Sequence, residues 1–194
     1  QEWLDHPGSV GRPVEPFEVL VVDEAGEPVA PGVEGRLFFR DRSGRGIVYH
    51  RTGTADPDLP AALAEPGTFT LGEIGYVDAD GYVYITDRFS DMVVSGGVNI
   101  YPAEAERVLA GHPAVAEVAC IGVPHPEMGE QLRALVVPAD PAFPPDPTEV
   151  VEFCRARLTH YKCPRTAEIV DALPRSAMGK LDKKALRARF AAAV

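Results

Sequence analysis

Hydrophobic residues near the start of the chain fall into two short runs that are rich in β-branched and aromatic side chains. The first run covers residues 17–23 and the second covers residues 35–40, with a turn-forming sequence at 23–26. Runs bounded by turn residues predict strands, and we expect a small antiparallel subdomain here. Residues 41–66 are rich in Gly, Pro, Ala and Asp and show no clear period, which predicts a long connection that is either mobile or contains one short helix around 59–64.

A second pair of runs predicts a β-hairpin. Residues 76–78 and 82–85 contain mainly aromatic and β-branched side chains, and the Asp80-Gly81 step between them is a strong turn signal. A further short strand is predicted at 68–70, directly before Leu71-Gly72-Glu73.

The second half of the chain mixes helical and strand patterns. Asp146, Pro147 and Glu149 combine a capping residue, a proline suited to the first helical turn and a glutamate at the third position. They predict a helix that runs to about residue 160. The other predicted elements are a helix at 102–111, strands at 115–123, 132–137 and 166–170, and a helix at 182–193. This mixture predicts an α+β fold.

Composition and charge narrow the functional class. The 194 residues carry a formal net charge of -10, which argues against non-specific nucleic-acid binding. The excess lies in residues 1–88, which hold 16 acidic and 7 basic residues, whereas residues 89–194 hold 13 and 12. No apolar run approaches the length of a membrane-spanning helix, so we expect no transmembrane segment.

The cysteines and histidines show no spacing that is typical of a metal site. Cys120, Cys154 and Cys163 lack paired spacing, and we interpret them as reduced thiols of a cytoplasmic protein. The five histidines show no ligand spacing with one another or with the cysteines, so no metal site is predicted.

Residues 87–106 combine the features of a ligand-facing joint. Arg88 is followed by an apolar run, by Gly96-Gly97 and by Tyr101-Pro102. Adjacent glycines allow backbone dihedrals that other residues avoid, or the close approach of a bulky group. Proline suits the first turn of a helix, so a helix start is predicted directly after the joint.

This stretch and two flanking motifs resemble the adenylate-forming superfamily, whose members include acyl-CoA synthetases, adenylation domains of peptide synthetases and luciferases. The upstream motif is Leu71-Gly72-Glu73 with Gly75-Tyr76-Val77-Asp78 and Gly81-Tyr82, and the downstream motif is Pro174-Arg175-Ser176-Ala177-Met178-Gly179-Lys180-Leu181. Three motifs in the order of the family are far more specific than one glycine pair. The resemblance covers essentially the whole chain.

The resemblance implies a division of the chain into two parts. Residues 1–88 are expected to be the β-rich end of a large N-terminal AMP-binding domain, and residues 91–194 a small α+β C-terminal lid domain. Residues 89–90 are the expected hinge, with Ser90 where the family commonly has Asp or Lys. Because the chain begins at Gln1 rather than methionine, we interpret it as the C-terminal portion of a bacterial acyl-CoA ligase.

Lys180 is the candidate catalytic residue. It follows Gly179 between a predicted strand and a predicted helix, and a lysine ammonium delivers one compact positive charge. The resemblance implies that this charge stabilises the α-phosphate of ATP during adenylation. A phosphate-binding P-loop is excluded, because Pro174 and Leu181 occupy the places of its first glycine and its Ser or Thr.

Three other residues receive roles from the resemblance. Glu73 and Arg88 lie on either side of the predicted hairpin and are expected to bind the nucleotide. A carboxylate accepts hydrogen bonds from ribose hydroxyls, and a guanidinium donates to ribose or phosphate oxygens. The family usually has Asp where this chain has Glu73. Gly97 is expected to line the tunnel through which the pantetheine arm of CoA reaches the acyl-adenylate.

The implied activity is the ATP-dependent conversion of a carboxylic acid, of fatty or sterol type, into acyl-AMP and then acyl-CoA. Mg²⁺ is implied as a cofactor, with its ligands and the glycine-rich phosphate loop in the missing part of the N-terminal domain. The fragment alone is therefore expected to be inactive. The sequence makes no prediction of oligomeric state. Two alternatives stay open, namely an adenylation domain that loads a carrier protein and a non-catalytic module that binds nucleotide or a partner protein.

Overall fold

The structure is a computed structural model that describes residues 4–44, 63 and 67–191. The chain divides into two compact units, Gln1–Ser90 and Asp91–Val194. The short helix predicted around 59–64 falls outside the described residues except for Leu63, and so does the predicted end of the last helix at 192–194.

The first unit is built on an antiparallel sheet. Its described strands are β1 (Phe17–Val22), β2 (Gly35–Asp41), β3 (Thr68–Phe69), β4 (Glu73–Val77) and β5 (Val83–Arg88). They are ordered β1-β2-β4-β5, and β3 pairs with β2. Val22, Phe38 and Leu63 form a buried cluster in this unit. The strands predicted in this half and the hairpin at the Asp80-Gly81 turn are confirmed.

The second unit is a sheet with helices. Its strands are β6 (Val93–Ser95), β7 (Val98–Ile100), β8 (Val115–His125), β9 (Gly129–Pro138) and β10 (Thr166–Ile169), and its helices are α1 (Pro102–Leu109), α2 (Pro147–Arg155) and α3 (Lys183–Ala191). Strand β9 pairs antiparallel with β8 and parallel with β10, and the described order is β10-β9-β6-β7.

Helices cover both faces of this second sheet. Side chains of a strand alternate between the two faces, so neighbours in β8 enter different cores. Cys120 joins the cluster that contains Leu109 of α1 and Val150 of α2. Ile121 joins the cluster that contains Leu186 and Phe190 of α3. One antiparallel sheet, one mixed sheet and three helices confirm the predicted α+β class.

Helix α2 begins as the sequence predicts but ends early. The side chain of Asp146 accepts a hydrogen bond from the Thr148 backbone N–H at 2.7 Å. This bond is the main reason why the pKa of Asp146 lies below its ordinary value. The helix ends at Arg155 rather than near residue 160, because Thr159 is extended with ψ 134. Thr is a poor helix former, and its backbone redirects the chain there.

The β6–β7 hairpin is absent from the sequence-based prediction. Each of its strands has three residues, which is too short for an alternating pattern to be visible. The hairpin begins directly after the short 3-10 turn at Phe89–Asp91. It lies in the stretch that the sequence marks as a joint.

Candidate functional site

Glu73 and Arg88 lie directly opposite each other on β4 and β5. Residues opposite each other in an antiparallel pair point to the same face. Arg88 Nε lies 3.9 Å from Glu73 Oε1, with side-chain exposures of 63% and 19%. The carboxylate is therefore held near the guanidinium in a loose ion pair and keeps the capacity to accept further hydrogen bonds.

A β-bulge produces this pairing. The register shifts between Ile74 and Gly75, so that Thr86 is an extra residue on β5. Without the shift, the register that pairs Gly75 with Ile85 would continue and place Asp87 opposite Glu73. The bulge therefore replaces a repulsive pair of carboxylates with an attractive pair. Gly75 is needed here, because a Cβ at this position would collide with the Tyr84 carbonyl.

Thr70 fixes the turn that leads into Glu73. Its hydroxyl donates to the Leu37 carbonyl at 2.8 Å and accepts from the Gly72 N–H at 3.0 Å. Gly72 has φ 80, a conformation that suits glycine, and its carbonyl accepts from the Phe89 N–H at 2.8 Å. Sequence reasoning missed Thr70, although its place directly before the Leu71-Gly72-Glu73 motif was a usable signal.

Ser90 lies between two anchored residues. Before it, the ring of Phe89 packs 4.3 Å beneath the Arg36 guanidinium in the first unit. After it, Asp91 Oδ1 accepts a hydrogen bond from Arg187 at 2.8 Å in the second unit. Ser90 itself is exposed. The backbone on each side is therefore fixed to its own unit.

Gly96 and Gly97 form the two-residue turn of the β6–β7 hairpin. Their φ values are 58 and 80, and Ser95 pairs with Val98 across the turn. Two central residues with positive φ are the pattern of a type I′ hairpin turn, which favours glycine. A Cβ at Gly97 would meet no atom within 4 Å, so this side of the turn faces open space.

A cavity of about 160 Å³ lies beside this turn within the second unit. Gly96 and Val98 contribute to one wall. Polar and basic side chains line another part of it, namely Arg155, His160, Tyr161 and Arg165. Arg155 is the last residue of α2 and the other three follow it in sequence, and their spacing gave no signal of a site.

Lys180 ends a tight turn between β10 and α3. The Gly179 N–H donates to the Ser176 carbonyl at 2.8 Å, and the Ser176 N–H donates to the Lys180 carbonyl at 2.7 Å. Gly179 has φ 77, which glycine adopts readily. The Lys180 side chain is exposed, and within residues 4–44, 63 and 67–191 its ammonium makes no ion pair. The turn therefore presents a free positive charge.

One group of side chains in the described part of the chain has the proximity of metal ligands. His6, Asp78 and Asp80 offer ligand atoms within 4.8 Å of one another. Asp78 Oδ1 already accepts the N–H groups of Asp80 and Tyr82 at 3.0 and 2.9 Å. Although desolvation raises the pKa of Asp78, these bonds outweigh it and lower the pKa overall. Mg²⁺ prefers six oxygen ligands with several waters, so this histidine-containing group does not fit it.

The three cysteines are buried and form no disulfide. Burial raises the pKa of Cys154 to about 12, and burial also raises the pKa of Cys163. Such thiols are protonated near neutral pH and are not nucleophiles. The structure gives them a packing role.

Residues 104–180 match the family of the AMP-binding enzyme C-terminal domain. The chain carries an AMP-binding enzyme C-terminal domain. Lys180 is the last residue of the matched range. The resemblance to the adenylate-forming superfamily is confirmed by this match.

Similar proteins support the same assignment. Feruloyl-CoA synthase from Amycolatopsis sp is 41% identical over 94% of this chain, which is 36% of that protein. Long-chain-fatty-acid–CoA ligase from Escherichia coli O157:H7 is 37% identical over 94% of this chain and 31% of the ligase. ATP-bound MatB from Rhodopseudomonas palustris matches with a TM-score of 0.77 and 31% identity, covering 95% of this chain and 36% of MatB. The chain thus spans about a third of the length of these relatives.

The residues that the structure describes include no helix with the length and apolar character of a membrane span. The structure brings Glu73 and Arg88 together in the first unit. Gly97 and Lys180 lie on separate turns of the second unit. The functional roles of these residues, and of Ser90, stay predictions.

Proposed function

We propose that this chain acts within an ATP-dependent, AMP-forming acid–thiol ligase. In the first half-reaction a carboxylate oxygen attacks the α-phosphorus of ATP, giving acyl-AMP and pyrophosphate. In the second, the CoA thiol attacks the acyl carbon, and AMP leaves as the thioester forms. The observation that carries the proposal is the exposed, unpaired ammonium of Lys180 on a closed turn, within the matched family range.

Lys180 serves the first half-reaction. Negative charge accumulates around the α-phosphate as the acid attacks and pyrophosphate departs. A fixed ammonium at this point lowers the energy of the transition state more than that of the bound substrates. Because no described carboxylate neutralises Lys180 in its own unit, its full charge is available.

Glu73 and Arg88 bind the nucleotide. The Glu73 carboxylate accepts hydrogen bonds from the ribose hydroxyls, and the exposed Arg88 guanidinium donates to ribose or phosphate oxygens. The loose 3.9 Å pair supports this role, because neither group is committed to a short hydrogen bond with the other. Thr70 and the bulge at Thr86 hold the two side chains on one face.

The Gly96–Gly97 turn and the adjoining cavity serve CoA. The open space at Gly97 suits passage of the narrow pantetheine arm. Arg155 and Arg165 line the neighbouring cavity, where positive charge favours the phosphates of the CoA nucleotide. Arg155 is paired with Glu152 at 2.6 Å, so Arg165 carries the larger share of this attraction.

Ser90 is the hinge between the two half-reactions. The second unit rotates about this residue, bringing first Lys180 to the α-phosphate of ATP and then Gly97 to the acyl-adenylate. The anchors at Phe89 and Asp91 support the role, because they confine the change in dihedrals to one exposed residue. Serine carries no charge to favour either orientation.

The substrate is a hydrophobic carboxylic acid of fatty or sterol type, which the enzyme binds in the cytoplasm together with ATP and CoA. Mg²⁺ is expected to be held by residues outside this chain and by the triphosphate, because the His6 group does not fit the ion. The rest of the AMP-binding domain is the necessary protein partner. The 194-residue chain alone is therefore expected to be inactive.

Acid-dependent exchange of labelled pyrophosphate into ATP by the full-length enzyme tests the proposal. We expect exchange with long-chain, sterol and aromatic acids to differ, and acyl-CoA to appear when CoA is added. Transfer to a holo-carrier protein but not to CoA would favour a carrier-loading adenylation domain instead. Absence of exchange with every acid, together with retained nucleotide binding, would favour a non-catalytic module.

A further inference from the structure

Arg175 bridges the turn of Lys180 to the central sheet of the second unit. One terminal nitrogen donates to Glu117 Oε2 on β8 at 2.6 Å. The other donates to the Gly179 carbonyl at 3.1 Å. Glu117 lies 58 positions before Arg175 in the chain, so this contact is a product of the fold. The guanidinium fork suits two acceptors at once, which a lysine does not match.

The Gly179 carbonyl is an effective point at which to hold Lys180. The carbonyl of one residue and the N–H of the next belong to the same rigid peptide plane. A hydrogen bond to the Gly179 oxygen therefore restricts the orientation of the Lys180 backbone. Backbone bonds close the base of the turn, where the Asp182 N–H donates to the Pro174 carbonyl at 2.9 Å. At its tip, Met178 is 81% exposed and offers no anchor.

We propose that Arg175, held by Glu117, is a positioning residue for Lys180. This inference rests on the proposed role of Lys180 in adenylation. Arg175 acts by keeping the turn in the conformation from which the ammonium reaches the α-phosphate. Its own charge is compensated by Glu117, so it does not replace Lys180 as the source of positive potential.

The exposure of the pair separates this role from a structural one. Arg175 and Glu117 have side-chain exposures of 49% and 46%. Exposed ion pairs contribute little to folding stability. Loss of Arg175 should therefore leave the unfolding midpoint unchanged, while a displaced reacting group lowers a catalytic rate by about 10- to 100-fold.

Pyrophosphate exchange by the full-length Arg175→Ala enzyme tests the inference. We expect a loss of about 10- to 100-fold in kcat with little change in the KM for ATP. Arg175→Lys should recover part of the rate, because it restores one contact but not the fork. Glu117→Ala should also reduce the rate of pyrophosphate exchange. Thioester formation from supplied acyl-adenylate and CoA should stay at the wild-type rate in all three variants.

The double variant Arg175→Ala/Lys180→Ala tests whether Arg175 acts through Lys180. It should exchange at the rate of Lys180→Ala alone, since a residue that works through another has no effect once that partner is gone. A further loss equal to that of Arg175→Ala would show independent contact with substrate and overturn the inference. Arg189→Ala is the matched control, because Arg189 makes an exposed 3.9 Å pair with Glu168 on the same unit. It should leave both half-reactions unchanged.

Hydrogen exchange at the Gly179 amide of the full-length enzyme gives a readout without catalysis. Arg175→Ala should accelerate it, and an unchanged rate would contradict the proposed hold on the turn. If the Lys180→Ala enzyme exchanged pyrophosphate at the wild-type rate, the proposed function itself would be contradicted. If Lys180→Ala loses pyrophosphate exchange as expected but Arg175→Ala exchanges at the wild-type rate, only the positioning role of Arg175 would be contradicted.

Discussion

Substitution of Glu106 by alanine is expected to destabilise the second unit severely. Glu106 Oε1 accepts a hydrogen bond from the Cys120 N–H of β8 at 2.7 Å and pairs with Lys183 Nζ at 2.8 Å. One carboxylate thus joins α1, the outer edge of β8 and the first residue of α3. Removing it leaves the Lys183 ammonium without this partner at only 12% exposure.

The magnitude follows from burial. Hydrogen bonds to charged groups contribute about 1.5–3 kcal/mol each, and removing one partner of a buried pair costs about 3–5 kcal/mol. Because Glu106 retains 20% exposure, water reaches the site, and the lower end of the range for a buried pair applies. We expect a loss of about 3 kcal/mol, or more than about 10 °C in Tm for a unit of this size. Glu106→Gln keeps an acceptor and should cost about 1 kcal/mol.

Glu152 provides the matched control. It pairs with Arg155 at 2.6 Å, a shorter distance than the Glu106–Lys183 pair, but with exposures of 58% and 35%. Exposed pairs contribute about 0–1 kcal/mol, so Glu152→Ala should cost less than about 0.5 kcal/mol. Urea denaturation followed by circular dichroism, with hydrogen exchange at β8 amides to report the second unit, measures both variants. Equal losses for the two substitutions would refute the argument that burial, not distance, decides the energy.

Three further predictions concern single side chains. Gly97→Leu and Gly97→Asn should both slow thioester formation, because either side chain narrows the open space at the turn, although only Asn tolerates the positive φ; a wild-type rate in Gly97→Asn would argue against a tunnel. Glu73→Gln should raise the KM for ATP with little effect on the KM for the acid, and an unchanged KM for ATP would exclude nucleotide contact. Because burial raises the pKa of Cys154 to about 12, unfolding releases a proton above the ordinary thiol pKa of 9.0. The free energy of unfolding should therefore fall as pH rises from about 9 to 12, and should fall less steeply in Cys154→Ala.

Local sequence signals predicted the longer elements correctly. The Asp146 cap, the Asp80-Gly81 turn and the β8 and β9 runs each depend on neighbouring residues, so their patterns are readable in the chain. The end of α2 was misplaced by about five residues, because helix spacing continued through Leu158 while the backbone at Thr159 had already become extended.

Long-range contacts were beyond the sequence. The bond between Thr70 and the Leu37 carbonyl spans 33 positions, and the Arg175–Glu117 pair spans 58. No spacing rule relates such residues, since the sheet register decides which of them meet. The bulge at Thr86 illustrates this point, because one extra residue decides whether Arg88 or Asp87 faces Glu73.

The two half-reactions of a full-length Lys180→Ala enzyme test the central claim most directly. The account predicts that acid-dependent pyrophosphate exchange falls by about 100- to 1,000-fold, as expected when one preorganised group that stabilises developing charge is removed. It also predicts that supplied acyl-adenylate is converted to acyl-CoA at the wild-type rate. Wild-type exchange, or equal losses in both half-reactions, would contradict it.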